Sequence, residues 1–184
     1  MSEENPFAEL EQSTPKTKLW FIIVEKIVAI LLFLLGSAMF YALFTDSGGN
    51  WGFYEETYGF FEGIKLFLRD NGYVLTMTVI SLFSGVFLFL KRKEGWIGTM
   101  AILTHMGAAL GLSFLRFNML DIENGTSDIL ISVLVLLLLA LIVLVMTRKQ
   151  AQIRYLLTKR DYYFPAGLFL LFYALRYLTL GQIY

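Results

Sequence analysis

The hydrophobic positions of this chain come in long blocks separated by short polar stretches. The cleanest block is Ile129–Met146, ILISVLVLLLLALIVLVM, with one hydroxyl (Ser132) and no charge. As a helix it covers about 27 Å, close to the roughly 30 Å hydrocarbon core of a bilayer. It is apolar on every side, unlike the surface helix of a soluble domain. Asp128 bounds it at one end, Arg148 and Lys149 at the other. These features predict a membrane span over 129–146.

Three further blocks repeat the pattern. Leu19–Phe44 places a span core at about 25–44, with Trp20 and Phe21 in an interfacial aromatic belt and Glu25 and Lys26 at headgroup depth. Helical spacing puts Glu25, Ala29, Leu32 and Gly36 on one face. The other two spans fall at 73–90 and 96–115, joined by the basic turn Lys91-Arg92-Lys93-Glu94-Gly95, which is too short for anything but antiparallel neighbours. The segment Tyr162–Tyr184 is ambiguous. Its uninterrupted apolar part, Phe164–Leu175, gives about 18 Å of helix. It is either a fifth span over 164–180, with Arg176 snorkelling to the far surface, or a terminal helix lying in the membrane plane.

The connections carry their own signals. After the turn Ser47-Gly48-Gly49-Asn50, the residues Tyr54, Tyr58, Phe61, Ile64, Phe67 and Leu68 recur at three- and four-residue steps. This predicts an amphipathic helix over about 53–69, lying on the membrane surface or covering the end of the bundle. Asn124-Gly125-Thr126 matches a glycosylation sequon but reads more simply as a turn. Residues 1–18 are polar and acidic and are expected to form a flexible cytoplasmic tail. Lys16 and Lys18 precede an apolar run much longer than a signal peptide's, and no cleavage site follows, so the first span is expected to be retained.

Composition agrees with this pattern. Hydrophobic residues make up 57% of the chain, charged residues 16%, and mean hydropathy is +0.65. The fold class is therefore all-α: a polytopic integral membrane helical bundle of four or five spans, with 19–184 as one domain. A net charge of zero argues against nucleic acid. With no cysteine, disulfides and thiolate sites are excluded. With one histidine, a multi-imidazole zinc or haem site within one copy is excluded as well.

The charges are sorted by side. Lys16, Lys18, Lys26, Lys91, Arg92, Lys93, Arg148, Lys149, Arg154, Lys159 and Arg160 fall on one side, against Lys65, Arg69 and Arg116 on the other. The positive-inside rule puts the amino terminus in the cytoplasm. The lack of cysteine leans towards a bacterial inner membrane.

An ionisable residue inside a membrane is a candidate for function. His105, near the middle of the third span, is the clearest. Its helical neighbours Gly98, Ala101, Ala108 and Leu112 are mostly small, and Thr104, Gly107 and Gly111 run beside them. Thr78, Ser81 and Gly85 form a matching stripe on the second span. Ser81 lies at that span's midpoint, which suggests a Ser81–His105 hydrogen bond across the antiparallel pair; Ser37 is another possible partner. His105 is either a proton-handling group or a neutral imidazole that joins two helices, and the second reading is the simpler one. Glu25 acts with Lys26 in a cytoplasmic vestibule or, more simply, in an interfacial ion pair with Arg92 or Lys149. Gly107-x-x-x-Gly111 is a weak dimerisation signal, at least as well explained by packing within one chain.

Enzyme templates fail. Ser113 is about 12 Å along the helix from His105, no span core holds an aspartate, and no phosphate-binding or metal-ligand motif is present. No cofactor or metal is expected. The expected function is non-enzymatic: a subunit, scaffold or assembly partner whose partners are membrane lipids and other membrane subunits or a second copy of the chain. The alternative is a small oligomeric transporter or channel using His105 and the Thr78/Ser81 stripe. An enzyme acting on lipids would need a polar cluster at one interface, which folding would have to assemble from Glu25, Arg92 and Arg154.

Overall fold

A computed structural model describes residues 17–45, 51–119 and 126–180, with side chains at all of these except 113–119, 126–129 and 179–180. Most of the acidic tail, the turn at 47–50 and the first two residues of the Asn124 sequon lie outside the described residues.

Every described element is helical. The order is α1 (Leu19–Thr45), α2 (Trp51–Tyr58), α3 (Phe60–Phe89), α4 (Lys93–Met119), α5 (Thr126–Thr147), α6 (Lys149–Tyr155), a short 3-10 turn (Lys159–Tyr162) and α7 (Tyr163–Leu180). Leu19–Thr45, Phe60–Phe89, Lys93–Leu112 and Leu130–Thr147 are each long and apolar enough to cross a membrane. The chain is an all-α bundle with the helices of a multi-pass membrane protein.

The amphipathic helix expected over 53–69 does not form as one piece. The chain breaks at Gly59, whose φ of 74° is a left-handed conformation open to glycine at little cost. Residues 51–58 fold as α2, and residues from Phe60 onward belong to the same continuous helix as the second span. No proline interrupts 60–89, so helical hydrogen bonding carries on past the polar residues Glu62, Lys65, Arg69 and Asp70. At 30 residues, α3 is about 45 Å long, enough to cross the hydrocarbon and a headgroup layer. The aromatic face covers the bundle's end: Tyr54, Phe67 and Leu43 bury one another, and the Tyr54 hydroxyl donates to Asp70 Oδ2 at 3.0 Å.

Small residues set how closely the helices approach. α1 and α3 run antiparallel, and a Cβ on Gly85 would lie 2.8 Å from the Ala29 carbonyl oxygen, so only glycine allows that contact. α3 and α4 form a hairpin through Leu90–Arg92, with Lys91 at a positive φ of 57°. Within it, a Cβ on Gly98 would stand 2.0 Å from Ser84 Oγ. The face predicted for α1 is the buried one: Glu25, Ala29, Leu32 and Gly36 all point inward.

The terminal helix runs lengthwise in the bundle. Tyr162, just before α7, stacks on Trp96 with ring centroids 5.1 Å apart, and farther along Phe172 stands 5.3 Å from the His105 ring. α7 therefore runs beside α4 in the same direction. α5 is held at its end by the buried Trp96 indole, which donates to the Met146 carbonyl at 2.7 Å. Its outward face, including Leu134, Leu137, Leu138, Leu141 and Leu144, is exposed.

Candidate functional site

Two polar constellations are buried in the bundle. The first lies at the basic end. Glu25 on α1 is fully buried, and its carboxylate accepts a two-pronged hydrogen bond from Arg154 on α6: Nη2 donates to Oε1 at 2.9 Å and Nε donates to Oε2. Arg154 is itself only 8% exposed, so this pair is removed from water. A planar guanidinium matches a carboxylate in this way, which a lysine cannot do. The carboxylate holds the Arg154 guanidinium above its ordinary range through these hydrogen bonds. Tyr155 is buried beside the pair without a well-formed hydrogen bond; burial first, then the negative charge of Glu25, pushes its phenol up.

The partner is the Arg154 that sequence offered only within a lipid-enzyme cluster, not the Arg92 or Lys149 of the simpler ion-pair reading. Glu25 was expected to pair with Arg92 or Lys149. Instead Arg92 pairs with Glu94 at 3.3 Å, and Arg154 takes Glu25. The reason is the direction of α6. Leu156 ends that helix in a left-handed conformation at φ 52°, and its face carrying Ala151 and Tyr155 turns inward, bringing the adjacent Arg154 to α1. Lys26 does share the site, at 3.9 Å from Glu25 Oε1, but its ammonium donates to the Phe89 carbonyl at 3.0 Å.

The second constellation surrounds His105, which is 2% exposed. Its Nε2 is 2.6 Å from the Tyr73 hydroxyl on α3. Phe169 and Phe172 of α7 close over the ring edge-on at 5.9 and 5.3 Å. Among the described residues Nδ1 has no hydrogen-bond partner. Arg176, one turn beyond Phe172, is close enough for its charge to act on both Tyr73 and His105.

The Ser81–His105 hydrogen bond does not form. Ser81 Oγ is buried with no partner, and the Thr78 hydroxyl donates to its own helix at Val74 O, 2.8 Å. The hairpin register accounts for this. Gly98 sits against Ser84, so counting back from that contact places Ser81 near Ala101 and His105 about one turn farther from the connection. Equal depth follows from a connection over 91–95, whereas α3 ends at Phe89 and α4 already begins at Lys93, which centres the pairing on residue 91. Tyr73 was missed because a tyrosine at a span's edge reads as an interfacial anchor. The structure thus joins Glu25 to a basic residue and His105 to a tyrosine, and leaves Thr78 and Ser81 outside both clusters.

A groove of 430 Å³ opens between α4 and α7, lined by Trp96, Met100, Thr104, Tyr162, Pro165 and Phe169 among others. None of His105, Ser81, Thr78 or Glu25 lines it. Among the described residues no three His, Asp or Glu side chains come together to hold a metal. What the buried groups can do is hold helices: one bond ties α6 to α1, the other ties α3 to α4.

Comparison with family models, curated proteins and solved structures finds no match to this chain.

Proposed function

We infer that this protein is a non-enzymatic integral membrane subunit or scaffold, assembled with other membrane helices or with a second copy of itself. The observation that carries this reading is the open small-residue face of α4. A Cβ at Gly107 or Gly111 would meet no described atom within 4 Å. Among the described residues, nothing packs against Gly107 and Gly111 closely enough to account for Gly107-x-x-x-Gly111 by packing within one chain. Two glycines four residues apart let another helix backbone approach closely. The exposed outer face of α5 supports the same reading. The bias of basic residues to one side supports a cytoplasmic amino terminus in a plasma membrane, and the lack of cysteine favours a bacterial inner membrane.

The test is purification of a tagged copy in mild detergent, followed by identification of what remains bound. A stoichiometric companion or a defined homo-oligomer is expected, and Gly107→Leu with Gly111→Leu is expected to release it. A lone monomer for both proteins would overturn the reading.

One observation favours a second reading, a small oligomeric transporter or channel. His105 is a buried imidazole whose Nδ1 has no hydrogen-bond partner among the described residues. His105→Phe separates the two readings. Lost solute or proton flux in liposomes with assembly intact favours transport; lost assembly favours the helix-joining role.

A further inference from the structure

We propose that the groove between α1 and α3 at the basic end of the bundle is a binding site for one anionic phospholipid. The groove has a volume of 340 Å³, at the lower end of the roughly 300–1,000 Å³ typical of ligand sites. Its walls are Ile30, Phe33 and Leu34 on α1 and Val86 and Phe89 on α3, with Gly85 as its floor. The wall side chains are all more than 40% exposed, on two helices long and apolar enough to cross a membrane, so acyl chains are their natural neighbours. The floor is deep because Gly85 has no side chain and the two backbones nearly touch there.

The charge at the mouth selects the headgroup. Lys26 lies across the Phe89 ring, its Nζ 4.2 Å from the ring centroid, and Phe89 is a groove wall. Of its three ammonium protons one is given to the Phe89 carbonyl, which fixes the side chain and leaves two for a phosphate. Glu25, 3.9 Å from the Lys26 ammonium, is shared with Arg154, so the three groups together keep one positive charge. Lys91, exposed in the turn directly after the groove residue Leu90, supplies a second cation. A slot for an acyl chain below two lysines matches a lipid with a net negative headgroup, in the manner of basic sites between spans. A zwitterionic lipid would fill the slot equally well but would gain less from the mouth.

The test is native mass spectrometry of the purified full chain after equilibration with an equimolar mixture of phosphatidylglycerol and phosphatidylcholine. One phosphatidylglycerol per chain is expected to be retained in preference. Each of Lys26→Gln and Lys91→Gln is expected to reduce that preference about fivefold. Lys91 lies on the surface, so its variant also reads out if Lys26→Gln weakens the fold. Val86→Trp, which fills the slot, is expected to abolish retention of either lipid there. Equal retention of the two lipids by the natural chain, or an unchanged preference in Lys91→Gln or in a folded Lys26→Gln, would overturn the proposal.

Discussion

Glu25 and Arg154 stand 129 positions apart in sequence and face each other as a buried, two-pronged ion pair. The contact fixes α6 against α1. It explains how a carboxylate comes to be fully buried in an apolar helix: the cost of desolvation is offset only when the partner and geometry are good.

Removing one partner should therefore be severe. Glu25→Gln or Arg154→Met is expected to destabilise the fold by about 3–5 kcal/mol, because the other charge is left buried and alone. Replacing both by apolar residues of similar size, Glu25→Leu with Arg154→Met, is expected to recover most of that loss. Unfolding in mild detergent, read as a double-mutant cycle, measures the coupling; additive single effects would show that the pair contributes nothing.

The α3–α4 hairpin makes a steric prediction. Gly98→Ala drives its methyl into Ser84 Oγ and is expected to cost about 1–3 kcal/mol. Adding Ser84→Ala removes the struck atom and is expected to restore much of the melting temperature. If the double variant melts no higher than Gly98→Ala alone, the close contact is not the cause.

Tyr73→Phe should show how His105 is held. It leaves both imidazole nitrogens without partners inside the bundle, at an expected cost of about 1–3 kcal/mol. Ser81→Ala, which breaks no hydrogen bond, is expected to be near neutral by the same thermal measurement. The reverse order of effects would restore the Ser81–His105 pairing expected from sequence.

Asp161 supplies a pH dependence. The Thr158 backbone N–H donates to its Oδ2 at 2.7 Å and the Thr158 hydroxyl at 2.8 Å, with Lys93 at 3.3 Å from Oδ1. These bonds, the backbone one first, hold its carboxyl below the usual aspartate range. A lowered folded-state value means the unfolded chain binds the proton more readily. The contribution is thus complete above the usual value near 4 and fades as pH falls towards the lowered one. The melting difference between the natural chain and Asp161→Asn should be constant from about pH 8 to 5 and shrink below about pH 4. A difference that grows on acidification would refute the assignment.

The parts of this fold that one helix decides alone were readable in advance. An apolar run long enough to span, such as 129–146 within Thr126–Thr147, identifies itself through length and the absence of charge. The inward face of α1 follows from spacing around Glu25. What could not be read is how elements meet. Arg154 was one of eleven basic residues on its side, and nothing local distinguished it from Arg92 or Lys149. The Ser81–His105 pairing expected from apolar runs does not form because the turn falls at Leu90–Arg92 and not over 91–95. Register is set by the turn and its glycines, and α3 extends through polar residues that hydropathy counts as loop. The glycines at 107 and 111 are visible as a motif, but only the surroundings show that no described atom lies within 4 Å of a Cβ placed there.

The cover over His105 has a consequence for how the protein is made. Phe169 and Phe172 belong to α7, the last of the described helices, while Tyr73 and His105 belong to segments synthesised well before it. Chains emerge from the ribosome amino terminus first, so the hairpin enters the bilayer with its imidazole sealed on one side only. Until α7 is made the Tyr73–His105 pair lacks this aromatic cover, and ribosome-stalled nascent chains ending before Tyr163 are expected to stay bound to the insertion machinery, or be degraded, more than chains that include α7.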